Sequence, residues 1–298
     1  VARVAEDEDV GFRVRGSIRL AADETERRDL AATARSVGGG LRYLDAGALP
    51  GAYRGRGFLG ALVDPADGEV NPLRLVRAAF RRAAAEGARI FERSPVVALD
   101  EGPTSVRATT PSGIAEADVA VVATNAWLSR LLPDGPAVRP VRAQMLAARC
   151  DPAPDWAMPA YAREGADYWR LLQDGTVLLG GRRRDGGEDE ETDEARPGRL
   201  VQTALDGLLA SLLPAGTRVD VRARWAGIMG FSPDGLPSAG LAPGRERTFA
   251  IGGFTGHGMG WGPGLAALLA ERVLGRERGP PDVFSPSREA VRPRRAGA

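Results

Sequence analysis

Residues 251–264 read Ile-Gly-Gly-Phe-Thr-Gly-His-Gly-Met-Gly-Trp-Gly-Pro-Gly, seven glycines in fourteen positions. The run follows an apolar strand pattern at 249–253 and precedes an apolar helical pattern at 263–274. A turn needs one or two glycines. A denser run lets backbone N–H groups approach an anionic or electron-rich ligand where a helix dipole adds positive potential. We read it as a cofactor cradle, with a crowded turn as the bland alternative. Gly262-Pro263-Gly264-Leu265-Ala266-Ala267 formally satisfies G-x-G-x-x-A. No second strand and no acidic residue follow where a dinucleotide fingerprint needs them, so it is set aside.

Scarce residue types narrow the chemistry. All forty basic residues are Arg, Cys150 is the only cysteine and His257 the only histidine. Without lysine there is no Schiff base and no P-loop lysine. One cysteine makes neither an internal disulfide nor a cysteine zinc site, which fits a reducing, cytoplasmic compartment. A Ser-His-Asp machine or a His-pair metal centre would have to run through His257. Chemistry borrowed from an organic cofactor is favoured instead, and no metal site is expected. The net charge of +1 is too small for a protein that binds by neutralising phosphates, so nucleic acid is not an expected partner. No stretch approaches the roughly 18 apolar residues of a membrane span.

At 298 residues, with about 150 per domain as a guide, two domains are expected. A strand at 16–21 leads to Asp23 and Glu26, a capping box opening a helix that ends near Gly38. A strand at 58–63 and a turn at 64–68 precede Asn71-Pro72, the cap and first turn of a helix with Leu73, Val76 and Phe80 on one apolar face. Strands are expected at 89–91, 96–99, 105–109 and 119–123, the last apolar enough to be covered on both faces. Longer alternating segments from 138, including 168–172 and 177–179, suggest an antiparallel sheet. Residues 185–194 carry seven acids and read as a solvated loop before a helix at 199–213. The Arg- and Pro-rich residues 276–298 read as a disordered tail. The fold class is α/β, with two interleaved domains, one α/β and one an antiparallel sheet of α+β type. Residues 1–57 and 138–222 are expected in the antiparallel domain, 58–137 and 223–275 in the α/β domain.

Several blocks occur in a recognisable order: DPADGEVNP at 64–72, AAEGA at 84–88 with Pro95-Val96, VVATNAW at 121–127 and VRPVRAQM at 138–145. Tyr168-Trp169-Arg170, GGRR at 180–183, RWAGIMGFSPDGLP at 224–237 and the glycine run follow. With them the chain resembles the FAD-dependent amine and amino-acid oxidoreductases of the glycine oxidase, sarcosine oxidase and D-amino-acid oxidase type, and among these it looks most like γ-glutamylputrescine oxidase. The resemblance implies a DAO-type fold, an incomplete FAD-binding Rossmann-like domain interleaved with an antiparallel-sheet substrate domain, with FAD as cofactor and oxidation of the C–N bond of a small-molecule amine or amino acid by hydride transfer. It places Val96, Ala123, Thr124, Asn125, Gly227 and the loop Gly252, Gly253, Phe254, Thr255, Gly256, His257, Gly258 and Met259 against the cofactor, with amides at a helix start near Pro263 stabilising charge on the reduced ring. Trp127 is assigned to packing. Tyr168, Arg182, Met229 and His257 would line the substrate. Other roles stay open: a surface tyrosine, a structural ion pair for Arg182, a core methionine, and a loop hydrogen bond for His257. No catalytic base is assigned.

Members of this family open with a strand, a G-x-G-x-x-G turn and a helix that hold the FAD pyrophosphate, and the sequence contains no such segment. An N-terminally truncated fragment is therefore expected. The alternative is a non-catalytic substrate-binding or assembly subunit whose partner chain supplies that segment. With no lysine to activate oxygen, oxidase and dehydrogenase both stay open. Covalent flavin attachment is not expected, because the block where such a cysteine occurs reads Gly227-Ile228-Met229.

Overall fold

The computed structural model describes residues 9–291. The chain forms two compact units. The first holds residues 9–82, Ala143–Glu190 and Ala195–Gly227; the second holds Ala83–Arg142, Glu191–Glu194 and 228–291. The division departs from the expected one chiefly at 58–82, which groups with the antiparallel unit because Gly60–Asp64 pairs with Ser17–Ala21 and Arg42–Asp45.

The first unit is organised by an eight-stranded sheet in the order Arg218–Phe231, Arg139–Asp151, Thr176–Gly180, Asp167–Leu171, Ala160–Ala162, Ser17–Ala21, Gly60–Asp64, Arg42–Asp45. Ala160–Ala162 runs parallel to Ser17–Ala21. Antiparallel pairing holds between Arg139–Asp151 and Thr176–Gly180, across the Asp174-Gly175 hairpin, and around Gly60–Asp64. Ile18, Leu146, Trp169, Val177 and Leu179 point from the sheet into one core with Val201, Leu205 and Leu209 of helix Arg199–Leu212. Tyr53, Phe58, Trp156 and Trp169 form an aromatic cluster there, with ring centroids 6.1–6.4 Å apart.

Helix Glu24–Val37 begins as expected at Asp23, whose Oδ1 accepts from Glu26 N at 2.9 Å. The return bond of the capping box is displaced by one residue: Glu26 Oε2 accepts from Ala22 N, and Oε1 accepts from Glu164 N on another loop. Asn71 caps helix Pro72–Ala85 through Arg74 N. Its covered residues are Leu75 and Ala78, whereas the expected buried face of Leu73, Val76 and Phe80 is exposed. The helix carries apolar residues on two sides, and periodicity alone does not say which is covered.

In the second unit, Ala120–Val122 runs parallel to Thr248–Gly252, which pairs antiparallel with Ser238–Leu241. Ala98–Glu101, Val106–Thr110 and Gly113–Ala117 form a separate antiparallel sheet, the last strand of which the sequence reading lacked; residues 89–91 form no strand. The apolar strand is not covered on both faces: Val122 is 5% exposed but Val121 is 47% exposed. Helix Gly258–Val273 covers the sheet through Leu265 and Leu269, against Phe249 and Ile251. It starts five residues before Pro263, which lies inside it. As the sixth residue of the helix, Pro263 lies past the first turn and has no N–H to give Met259 O, so proline marks a start only loosely here.

Two further expectations are corrected. Residues 276–291 are not disordered, since turns at Asp282–Phe284 and Glu289–Val291 bury Phe284 and Val291; residues 292–298 lie outside the described residues. The acidic stretch 185–194 is solvated as expected at every acid but Glu190, yet part of it is short helical turns, Arg183–Gly186 and Gly187–Glu190, rather than loop. Glu190 is buried and accepts from Gln144 Nε2, Asp193 pairs with Arg130, and Glu191 pairs with Arg139. Among the described residues no helix is long and apolar enough to cross a membrane.

Candidate functional site

The second unit brings the ends of its two parallel strands together, the position where open α/β sheets receive ligands. Ala120–Val122 runs out into Ala123, Thr124 and Asn125, and Thr248–Gly252 into Gly253 and Phe254. Asn125, held at φ 45°, latches the two: its Oδ1 accepts from Gly253 N at 3.1 Å. Glycine is required around this latch. A Cβ on Gly252 would come within 3.1 Å of Asn125 Cα, and one on Gly230 within 2.6 Å of Asn125 Oδ1.

The glycine run thus has two halves. Gly252 and Gly253 are packed against Asn125, Leu128, Val138 and Ser232, so their lack of a side chain serves the protein's own packing. From Gly256 onward the run opens. A Cβ on Gly256 would meet only Met229 Sδ, at 3.6 Å, and Gly260 and Gly264 have nothing within 4 Å. His257 is the N-cap of helix Gly258–Val273, so Gly258 and Met259 present first-turn amides that lack an i−4 acceptor. The expected donor cluster exists at Gly258, not at Pro263.

Thr255 joins the halves. Its φ of 49° is unusual for a β-branched residue and is held by bonds on both sides. The amide of Thr255 donates to Gly230 O at 2.8 Å, Ser232 N donates to Thr255 Oγ1, and the two hydroxyls lie 3.1 Å apart. Its carbonyl faces His257 Nδ1 at 2.9 Å.

Val96 is part-exposed in the irregular segment before Ala98–Glu101. Gly227 and Met229 lie on the long strand Arg218–Phe231, Gly227 being the last residue of the first unit and Met229 lying in the second. Tyr168 and Arg182 belong to the first unit. Gly180 makes room for the Tyr168 ring, which a Cβ there would meet at 2.5 Å, and burial pushes the Tyr168 phenol up from its ordinary pKa. Arg182, at φ 56°, turns its terminal nitrogens toward Asp167 at 3.7 Å and Asp185 at 2.8 Å. The geometry gathers Ala123–Asn125 with the glycine loop and Met229 with Gly256. The roles of Asn125 as latch and of Ser232 and Gly230 as supports were not read from sequence. The only signal was their place in blocks dense in glycine and small polar residues.

The residues present fit a planar, electron-accepting cofactor. Thr124 Oγ1 is buried without a hydrogen-bond partner among the described residues, just past the end of strand Ala120–Val122. Strand ends, a glycine loop and a helix start define a cofactor site of the doubly wound α/β class. Residues 2–272 match the family of FAD dependent oxidoreductases (DAO), and the chain belongs to that family, whose cofactor is FAD. It is 27% identical over 278 residues to a glycine oxidase of Geobacillus kaustophilus, covering 90% of this chain and 72% of that one. The crystal structure of glycine oxidase from that organism superposes with a TM-score of 0.82 at 25% identity, over 97% of this chain and 79% of the other. A glycine oxidase of Bacillus licheniformis is 27% identical over 224 residues, 74% of this chain and 58% of the relative. The chain thus spans between about half and three quarters of the length of such relatives.

Proposed function

We propose that the chain is the substrate-and-flavin portion of an FAD-dependent oxidoreductase that oxidises the C–N bond of a small amine or amino acid, of which glycine is the first to test. The reading rests on one observation: at the ends of two parallel strands, the packed Asn125–Gly253 latch gives way to open, unpaired amides at a helix start. FAD, when bound, would accept an electron pair and so permit loss of hydride from carbon. Gly258 and Met259 would donate to the carbonyl edge where negative charge builds, Thr124 would supply a hydroxyl, and Phe254 and Met259 would exclude water. Met229, beside Gly256, is assigned to the substrate. Arg182, with its terminal nitrogens facing Asp167 and Asp185, is assigned to a structural ion pair within the first unit. A cytoplasmic location belongs to the same reading.

A specific observation supports the companion reading, that a further segment or a partner chain supplies the pyrophosphate-binding part. Ala120–Val122 pairs with one neighbour only among the described residues, and Val121 is exposed on it. An unpaired parallel edge of this kind invites another strand.

The test is spectral. Titration of the purified chain with FAD is expected to shift and sharpen the visible flavin bands, and anaerobic glycine is expected to bleach them. A spectrum identical to free flavin at saturating chain would overturn the flavin reading. Bound flavin that no amine reduces would leave the subunit reading.

A further inference from the structure

A carbonyl oxygen only accepts hydrogen bonds, so the 2.9 Å contact between Thr255 O and His257 Nδ1 puts a hydrogen on Nδ1. A neutral ring so fixed has its lone pair on Nε2, which has no partner among the described residues and belongs to an exposed side chain. The contact is built in. Thr255 is held in a left-handed conformation uncommon for a β-branched residue, and the bonds to Gly230 and Ser232 keep it there. The effect of that conformation is to aim a carbonyl at the imidazole. On either side of His257, a Cβ on Gly256 would meet Met229 Sδ at 3.6 Å and one on Gly258 would meet Phe254 at 3.6 Å, ordinary contact distances. His257 is the only titratable side chain in residues 225–233 and 248–264, the two segments that build this loop.

Resting on the function proposed above, we infer that His257 is the proton acceptor for the substrate amine. An ammonium arriving at the loop gives one proton to Nε2: its N–H bond breaks, an Nε2–H bond forms, and the nitrogen recovers its lone pair. No electrons leave the substrate in this step. The ring becomes an imidazolium whose Nδ1–H···O bond to Thr255 is strengthened by the charge. The freed lone pair is what the later two-electron oxidation of the C–N bond requires. The fixed tautomer thus makes His257 a base with its lone pair on Nε2 and its ring held through Nδ1 by Thr255.

Because the chain has one histidine, its ¹⁵N-labelled form gives one imidazole spin system, readable without flavin. The expected spectrum has Nδ1 protonated and Nε2 bare in the neutral ring. An Nε2–H tautomer would overturn the inference whatever the flavin does. In the FAD-loaded protein, His257→Gln is expected to lower kcat/KM about 10²-fold for glycine. The loss should be several-fold smaller for glycine ethyl ester, whose less basic amine is unprotonated far more often than that of glycine at the same pH. Equal losses on the two amines would also overturn the inference. Failure of the unmodified protein to oxidise either amine would instead count against the proposed function, leaving the tautomer to decide this point.

Discussion

The two units are stabilised differently. In the first, an eight-stranded sheet and helix Arg199–Leu212 enclose a large core of aliphatic side chains and four clustered aromatics, beside a small cluster of Val10, Leu75 and Ala78 and the exposed Leu73, Val76 and Phe80. In the second, two small clusters flank a three-stranded sheet, while Phe91, Val97 and Val121 remain exposed. The candidate cofactor loop lies in the thinly buried unit. Loops that must open to ligands are drawn from the less stable parts of a fold, whereas a broad dry sheet suits a wall that must hold its shape. Amide hydrogen exchange is expected to protect Leu146 and Leu179 more strongly than Val121 and Val122, and the reverse order would break the comparison.

Substitution sharpens it. The largest effect is expected from Trp169→Ala in the first unit. This side chain is buried among Tyr53, Phe58 and Trp156, and its removal leaves a cavity costing about 3–5 kcal/mol, read as a lower urea midpoint. Next is Gln144→Leu. Gln144 is buried, donates to Glu190 Oε2, and accepts from Gly198 N and Gln202 Nε2. Leucine would leave a buried carboxylate and a helix N-cap amide short of partners, at about 2–4 kcal/mol. The local readout is early proteolysis within 185–198.

In the second unit Gly253→Ala is expected to cost about 1–3 kcal/mol. Its φ is 70°, and a Cβ would press on Val138 at 3.2 Å and Ser232 at 3.4 Å. Because Gly253 N is the latch to Asn125, FAD affinity should fall with stability. Gly260→Ala, where nothing lies within 4 Å, should leave stability nearly unchanged. If the two alanines behave alike, the division of the glycine run into a packed and an open half is wrong.

What was legible in the sequence follows the same line. The Asp23 cap, the Asp174-Gly175 hairpin and the strand before the glycine run were readable because local chemistry sets them: a carboxylate beside orphan amides, glycine at φ 78°, an unbroken apolar run. The α/β and antiparallel parts were readable from the shift between these patterns. The solvated reading of 185–194 holds for its exposed acids but missed the burial of Glu190, because its partner Gln144 lies about 50 residues away in sequence. The covered face of helix Pro72–Ala85 failed for the same reason, since the neighbours that choose Leu75 over Leu73 are tertiary. In the site, glycine density was visible, but which glycines serve packing was not. That depends on Asn125 and Leu128, more than a hundred residues upstream.

The smallest effect is the most specific about how the second unit is tied together. Glu101, at the end of strand Ala98–Glu101, accepts from Glu246 N at 2.7 Å and Arg247 N at 3.2 Å through Oε1, and from Thr248 Oγ1 at 2.5 Å through Oε2. Burial pushes this carboxyl up, but the hydrogen bonds from Thr248, Glu246 and Arg247 together outweigh it, and the net shift is below the usual carboxylate range. A carboxyl whose folded-state pKa is depressed stabilises the fold above its unfolded pKa, and that contribution is lost as pH falls through the folded value. Glu101→Gln keeps the shape but removes the charge. It should cost about 1 kcal/mol at neutral pH, a figure kept low by solvent screening at this partly exposed position. The difference from the unmodified chain should shrink as pH drops below the carboxylate range, because protonation makes the natural side chain neutral too. A urea midpoint difference that stayed constant from neutral to strongly acid pH would show that the strand Thr248–Gly252 is anchored by packing alone, without the carboxylate at its entry.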